Sequence, residues 1–263
     1  MPDWLSIVLL GIIEGITEFL PISSTGHLLI AQRWLPRQSD LFNILIQTAA
    51  VMAVLPLFRG RILSFLTKGR EPATRDYLFK VGLAFFITGV LGFFLDKSGL
   101  QLPEKPGPVG WALLIGGVLF LVVEYVVRDK KLGEDITWTI AIAVGLGQVL
   151  AAVFPGASRS GTTILAMLCL GLSRPAATEF TFLVSIPTMM AAGGVKLLKA
   201  VRHLDASAAP EHWGHLALGC VVSAIVSFIA VKWLLRFVQS HTFNGFGWYR
   251  IVLGAIILLW VGD

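Results

Sequence analysis

The chain has 263 residues, of which 56% are apolar and only 14% are charged, and its mean hydropathy is +0.79. Soluble domains contain about 25% charged residues, so this composition argues against a water-soluble enzyme, a disordered tail and a nucleic-acid-binding module. The net charge of +5 does not change that interpretation, because the basic residues are scattered between apolar runs and form no basic patch. The two cysteines, Cys169 and Cys220, match no disulfide framework and no metal-binding spacing. The sequence therefore indicates a multi-spanning membrane protein.

The breaks between apolar runs predict ten helical segments. Runs without Asp, Glu, Lys or Arg, such as 41–58 and 136–158, are long enough to cross a hydrocarbon core of about 30 Å. In chain order, the predicted helices cover residues 4–19, 24–35, 41–58, 76–95, 108–127, 136–154, 160–171, 175–198, 213–237 and 247–262. We predict an all-α polytopic membrane protein that forms a single integral membrane domain over residues 1–263.

Two junctions interrupt otherwise apolar sequence, at residues 19–27 and 154–163. In each junction a proline ends the preceding helix, and a Ser/Thr run offers N-caps for the next one. The segments on either side are short for a full span, so each junction predicts a re-entrant helix hairpin that enters the membrane and returns on the same side. Non-helical backbone at membrane depth is tolerated only where it lines a cavity or is buried in protein.

The two junctions also indicate an internal repeat. Glu14 and Gln148 each lie seven residues before a proline that leads into a hydroxyl-rich turn. Residues 1–127 and 128–263 then each contain one re-entrant hairpin and three full spans, about six spans in all, and an odd number of crossings requires the second repeat to be inverted. Inverted repeats with broken helices place a binding site near the midplane, where the breaks meet. The alternative is that the similarity between the two halves arises because small apolar residues align by chance.

Loop charges predict the orientation in the membrane. Thirteen Lys and Arg residues fall on the side that carries loops 59–80, 128–135 and 232–247, with Arg250 counted at its edge, against seven on the other side. The side with the larger number is expected to be cytoplasmic. Both termini are then expected to face outward.

Glu14 and Glu18 are four residues apart, so their carboxylates project from one helical face. A charged group at membrane depth costs about 2.5–3.5 kcal/mol on insertion scales, and Arg159 adds a third such group. These charges are tolerable only where they meet each other, water or a ligand. An ion-paired polar seam between helices is the alternative, but the hydroxyl-rich break beside each cluster favours a binding site.

Each break opens a helix with groups that suit a phosphate ligand. Helix N-termini present free N–H groups and the positive end of the helix dipole, and Arg159 adds a guanidinium suited to bidentate phosphate contact. The glycines leave room for close backbone approach. Two such turns, one with Arg159 and one with His27, predict an anionic ligand such as phosphate or diphosphate. The candidate phosphate-binding residues are Ser23, Ser24, Thr25, Gly26, Ser158, Ser160 and Gly161.

These motifs resemble those of the bacitracin-resistance type undecaprenyl-diphosphate phosphatases. The segment from Glu14 to His27 is similar to the first signature of that family, and the segment from Pro155 to Thr163 is similar to its second motif. The resemblance extends over essentially the whole chain in length and hydropathy. It implies that the chain removes the terminal phosphate of a C55 isoprenyl diphosphate, which yields the monophosphate carrier lipid used in cell-envelope synthesis. It also implies a bacterial plasma (inner) membrane protein whose site is reachable from the outer face.

By the same resemblance, Glu14, Glu18, Ser24, His27 and Arg159 fall where the family has its functionally important residues. Of these, Glu14, Glu18, His27 and Arg159 are the candidate catalytic residues. The two glutamates could act as base and acid, or could hold a divalent cation such as Mg²⁺ or Ca²⁺; no organic cofactor is expected. His27 is the preferred nucleophile or base, because a neutral imidazole is usable at pH 7. Ser24 is expected to bind phosphate and is the competing nucleophile, and direct attack by water is the third route.

The expected partners are an isoprenyl diphosphate lipid and membrane lipids, with no nucleic acid, and a homodimer is left open. A transporter that flips a lipid phosphate is the alternative function, because inverted repeats with broken helices also occur in transporters.

Overall fold

A computed structural model describes residues 2–31, 33–98, 105–202 and 212–261 of the chain. Within these ranges the protein is α-helical and contains no β-strand, which confirms the predicted all-α class. The helices of the first half are α1 (Asp3–Thr17), α2 (Ser24–Ala31), α3 (Asp40–Val54), α4 (Arg59–Thr67), α5 (Pro72–Lys97) and α6 (Pro106–Val127). Those of the second half are α7 (Trp138–Val153), α8 (Arg159–Cys169), α9 (Arg174–Val201), α10 (Trp213–Phe237) and α11 (Asn244–Ile256). A 3₁₀ turn (Leu55–Phe58) follows α3, and a π-helical turn (Ile257–Val261) follows α11.

Helix α4 is a difference from the sequence prediction, which assigned residues 59–80 to a loop. The helix contains Ile62, Leu63, Phe65 and Leu66, but none of its residues is buried. Its Arg61 donates a hydrogen bond to Glu179 of α9, with an N–O distance of 2.8 Å. This contact to another helix is a tertiary interaction that local sequence does not reveal.

Five helical stretches of the described residues are long and apolar enough to cross a membrane. They are Asp40–Thr67, Pro72–Lys97, Pro106–Val127, Arg174–Val201 and Trp213–Phe237. Trp138–Val153 and Asn244–Trp260 are shorter apolar helices. Large apolar side chains such as Phe86 and Tyr125 are exposed on the outside, as expected for a surface that contacts lipid. The chain is a multi-pass membrane protein.

The helices pack in a pattern that recurs between the two halves. Helix α1 packs against α10, which also packs against α3, and helix α7 packs against α5, which also packs against α9. Gly15 of α1 approaches the carbonyl oxygen of Ser223, and Gly145 of α7 approaches that of Ala84. All of these pairs join one half to the other, as do the contacts between α6 and α11 and between α3 and α9. The inverted repeat stays a prediction, and this recurrence supports it.

The first break is embedded in the main hydrophobic core. Phe19, Leu20 and Ile22 are all buried there, and the ring of Phe19 packs edge-on against Phe182 of α9 with 5.2 Å between centroids. Because its apolar side chains are anchored in this way, the break is held at a defined position inside the molecule.

Candidate active site

The two breaks share the same backbone form at the start of the helix that follows. Ser23 and Ser158 both have positive φ, at 72° and 69°, a region that non-glycine residues seldom occupy. The Oγ of each serine accepts a hydrogen bond from a backbone N–H three residues on, at 3.4 Å from Gly26 and 3.2 Å from Gly161. These contacts are N-caps of α2 and α8. Two strained serines at two helix starts indicate a site that the surrounding structure holds in place.

A cavity of about 190 Å³ lies where the two breaks meet. Six of the predicted site residues line it, namely Glu18, Ser23, Ser24, Thr25, Ser158 and Arg159. The remaining walls come from Gly156 and from helices α3, α7 and α9, with the side chains of Gln47, Gln148, Ala151, Ala152 and Met189. The structure therefore brings the two sequence motifs, 141 residues apart at Glu18 and Arg159, to one polar cavity.

An ion pair between Glu18 and Arg159 joins the two breaks across this cavity. Arg159 Nη2 donates to Glu18 Oε1, and Ser24 Oγ donates to Glu18 Oε2 at 2.9 Å. The two charged side chains are only 8% and 18% exposed. In such surroundings, shielded from water, electrostatic interactions are stronger than at a surface, so the pair holds a guanidinium, a carboxylate and a hydroxyl in fixed mutual positions.

Glu14 is fully buried next to this site, and neither of its carboxylate oxygens has a hydrogen-bond partner. Gln148, seven residues before the second proline, shows the same feature: its Nε2 donates to Thr88 at 3.0 Å, while its Oε1 has no partner. Buried polar atoms are nearly always satisfied. Unpaired oxygens at this position suit a hard cation, whose ligands are oxygen atoms. Among the described residues, no group of three His, Cys, Asp or Glu side chains could hold a metal ion.

His27 is not among the residues that line the cavity. Its Nδ1 lies 2.7 Å from the carbonyl oxygen of Ser23, and its Nε2 lies 2.6 Å from the hydroxyl of Tyr249. The two rings are stacked, with 5.5 Å between centroids. A neutral imidazole that donates from Nδ1 to the carbonyl accepts the tyrosine hydroxyl at Nε2. In this arrangement both ring nitrogens of His27 are occupied.

Three other predicted phosphate-binding residues face protein and not the cavity. A Cβ on Gly26 would lie 2.7 Å from Leu113 Cδ1, and one on Gly161 would lie 2.9 Å from Arg250 Nη1. The hydroxyl of Ser160 donates to the carbonyl oxygen of Leu20 at 3.2 Å. Ser160 therefore joins the second break to the first, while Gly26 packs against α6 and Gly161 lies beside Arg250.

Two residues that contact the site were missed by the sequence analysis. Gln47 lies in an apolar run, and its only signal was one polar side chain within that run. Arg250 was counted with the cytoplasmic loop residues, but the structure buries it completely and places its guanidinium on the carbonyls of both breaks. A charge among the apolar residues of 248–262 was the signal that could have identified it. Without Arg250 the loop count is twelve against seven, so the predicted orientation does not change.

The whole chain is similar to one family of proteins. A family model described as Bacitracin resistance protein BacA matches residues 7–256. The chain belongs to the BacA family. A BacA relative from Rhizobium etli (strain CIAT 652), named undecaprenyl-diphosphatase, is 51% identical over 257 residues, which cover 97% of this chain and 96% of the relative. Another with the same name, from Xanthomonas oryzae pv. oryzae (strain PXO99A), is 51% identical over 262 residues, which cover 99% and 98%. The resemblance predicted from the two motifs is thus confirmed, and the BacA match includes both breaks.

Proposed function

We propose that this BacA-family protein hydrolyses undecaprenyl diphosphate to undecaprenyl phosphate and inorganic phosphate. In doing so it would recycle the lipid carrier for peptidoglycan and other envelope polymers and confer bacitracin resistance. The observation that carries the proposal is the cavity between two helix N-termini in which Glu18 pairs with Arg159 and accepts a hydrogen bond from Ser24. Relatives that are 51% identical bear the name undecaprenyl-diphosphatase.

The size and surroundings of the cavity support a lipid diphosphate as substrate. At about 190 Å³ the cavity is smaller than the roughly 300–1,000 Å³ of pockets that enclose a whole ligand. It suits a diphosphate head group, and a C55 chain has to lie elsewhere. Leu150 and Met190 are exposed apolar side chains that neighbour the lining residues Ala151 and Met189 in the chain, and exposed Phe154 lies between the lining residues Ala152 and Gly156. They provide a lipid-facing surface for the isoprenyl chain.

The charges of the site suit phosphoryl transfer. Cleavage of a phosphoanhydride depends on positioning and on stabilising charge at the phosphate oxygens. Arg159 and the free N–H groups that begin α2 and α8 supply positive potential at the same cavity. Fixed donors of this kind stabilise developing negative charge without reorganising during the reaction.

The contacts favour Ser24 over His27 as the attacking group. Ser24 Oγ donates a hydrogen bond to Glu18 Oε2, so Glu18 can act as the base that activates the hydroxyl. Attack by Ser24 Oγ on the terminal phosphorus breaks the bond to the bridging oxygen, which leaves as undecaprenyl phosphate. Glu18 holds the proton taken from Ser24 and returns it to Ser24 Oγ as water attacks the phosphoserine and the bond between Oγ and phosphorus breaks. Inorganic phosphate leaves with the protons of the attacking water, and Glu18 is again a carboxylate. His27 is the nucleophile or base preferred from the sequence, but both of its ring nitrogens are bound elsewhere.

A divalent cation stays part of this proposal, and Glu14 is the residue that supports it. Its two unpaired carboxylate oxygens are of the type that Mg²⁺ or Ca²⁺ prefers as ligands. When bound, the ion would neutralise charge on phosphate oxygens. Glu18 is engaged by Arg159 and Ser24, so Glu14 is the better supported carboxylate ligand of the two.

The membrane arrangement completes the proposal. Helices α7 and α8 have 16 and 11 residues, and α1 and α2 have 15 and 8. Even 16 residues of α-helix extend only about 24 Å, less than the hydrocarbon core of about 30 Å. Two re-entrant hairpins in inverted repeats account for these lengths. With more basic residues on the opposite side, the termini and the mouth of the cavity face outward from the bacterial inner membrane.

Phosphate release by the purified protein in detergent, with and without a chelator, tests the proposed function. A phosphatase releases inorganic phosphate from undecaprenyl diphosphate, whereas a lipid-phosphate flippase, the alternative function, liberates none. Loss of activity with the chelator and recovery with Mg²⁺ or Ca²⁺ would support the cation. No phosphate release under any of these conditions would favour the flippase.

A further inference from the structure

Arg250 on α11 is a fully buried cation that the proposed reaction does not use. It is the bulkiest of the fully buried side chains in the described part of the chain. No carboxylate pairs with it among the described residues. A buried charge is costly unless it is paired or hydrogen-bonded, so its contacts indicate what the charge is for.

The guanidinium of Arg250 binds backbone carbonyls of both breaks. Nη1 donates to Pro21 of the first break at 3.2 Å, and Nη2 donates to Ala157 of the second at 3.0 Å. Two further contacts of Nη2, both 3.3 Å long, reach the carbonyls of Gly156 and of Ala112 on α6. One rigid, planar group thus joins three separate segments of the chain.

Residues of α6 and α8 pack closely around the guanidinium of Arg250. A Cβ on Gly116 of α6 would lie 2.1 Å from Nη2, and one on Gly161 of α8 would lie 2.9 Å from Nη1. The centre of the Phe120 ring lies 5.9 Å from Arg250 Cζ. The guanidinium therefore has little freedom to move, and its position determines where the carbonyls of the two breaks can lie.

These carbonyls belong to the segments that carry the site. Pro21 lies between Glu18 and Ser24, and Ala157 lies between Gly156 and Ser158, which both line the cavity. We propose that Arg250 is a positioning residue that holds the two breaks in register, so that Glu18 and Ser24 of one break meet Arg159 of the other. The role in turnover rests on the proposed phosphatase function, but the geometric role does not.

Arg250→Lys is the first test, because it keeps the positive charge and removes the planar group. Lysine presents one compact ammonium, which cannot match the fork geometry of arginine, and it cannot bind both breaks as Arg250 does. Small misplacements of catalytic groups cost up to about 100-fold in rate. We expect kcat to fall at least tenfold and KM to change by less than threefold. Arg174→Lys is the matched control, because Arg174 pairs with Glu124 and contacts neither break.

The second test measures the register directly and does not depend on activity. Nitroxide labels at Ile16→Cys on α1 and Phe154→Cys at the start of the second break, both exposed positions, are introduced after Cys169→Ala and Cys220→Ala. We expect one narrow distance distribution in the parent and in Arg174→Lys, and a shifted or broadened one in Arg250→Lys. An unchanged distribution in Arg250→Lys would overturn the proposal whatever its kcat.

Gly116→Ala is a second variant in case Arg250→Lys fails to fold. It displaces the guanidinium and leaves the arginine in place, and Gly89→Ala, where a Cβ meets nothing within 4 Å, is its control. We expect the same fall in kcat and the same change in distance for Gly116→Ala alone. If the folded fraction of Gly116→Ala has normal kcat and normal distances, Arg250 is only structural. If the parent releases no phosphate, the proposed function fails, and the distances still decide the positioning role.

Discussion

At the scale of single residues, Glu18 is where the two halves of the site meet. It accepts hydrogen bonds from Arg159 of the second break and from Ser24 of the first. We expect Glu18→Gln and Arg159→Ala each to reduce kcat by about 10²–10³, the usual effect of losing one oriented group in a site shielded from water. Phosphate release by the purified variants measures this effect.

Glu179→Gln is the matched control for Glu18→Gln. Glu179 also pairs with an arginine, Arg61, but it does not line the cavity, so we expect nearly normal turnover. If Glu18→Gln keeps more than a tenth of the parent activity, the carboxylate is not the base.

The hydrogen bond between Ser24 and Glu18 makes a prediction about the covalent intermediate. Rapid quenching with substrate labelled in its terminal phosphate should trap acid-stable label, because phosphoserine survives acid. We expect no label on Ser24→Ala and full labelling of Ser98→Ala, whose hydroxyl is exposed and bonds only to its own helix end.

Other outcomes of the same trapping experiment point to the other nucleophiles. Acid-labile, base-stable label would indicate phosphohistidine and would require His27 to leave Tyr249 before it attacks. Absence of label from the active parent would favour direct attack by water with Glu18 as the base.

At the scale of helices, close approach between α6 and α11 depends on glycine. A Cβ on Gly117 would lie 2.6 Å from the carbonyl oxygen of Gly247, a backbone atom that cannot rotate away. Overpacking of this kind costs about 1–3 kcal/mol. We therefore expect Gly117→Ala to lower the midpoint of thermal unfolding in detergent by several degrees.

Gly89→Ala on α5 is the control for helix propensity. A Cβ there meets nothing within 4 Å, and alanine favours a helix over glycine by about 1 kcal/mol. We expect an unchanged or slightly higher unfolding midpoint. Equal midpoints for Gly117→Ala and Gly89→Ala would contradict the close contact between α6 and α11.

At the scale of the whole molecule, the distribution of loop charges predicts orientation. In a background with Cys169→Ala and Cys220→Ala, we expect Lys68→Cys and Lys131→Cys to resist membrane-impermeant thiol reagents in intact cells. Arg37→Cys and Lys105→Cys should be labelled. All four positions are exposed, so a lack of labelling reports the side of the membrane and not burial.

The opposite labelling pattern would place the termini and the cavity mouth on the cytoplasmic side. The substrate would then have to be reached from inside the cell. Cross-linking of the same cysteine variants in native membranes tests the homodimer, which stays a prediction.

The sequence by itself determined the class of the protein and predicted the two breaks whose residues line the cavity. Long apolar runs with few charges are possible only in a membrane, and every backbone group there needs an internal partner, so helices follow. Prolines and hydroxyl residues marked both breaks because they act locally, by ending one helix and capping the next. The charges of Glu18 and Arg159 were informative because an unpaired ion inside a membrane has a high free energy.

Only the tertiary structure decided which of these residues meet. Whether His27 faces the cavity depends on Tyr249, which is 222 residues away, and no local pattern contains that contact. The contact of α4 with α9 through Arg61 and Glu179 is likewise absent from the local pattern, and Arg250 lies between both breaks although it is remote from them in the chain. These outcomes depend on which helices pack together, and packing is a property of the whole fold, whereas periodicity and capping are properties of short segments.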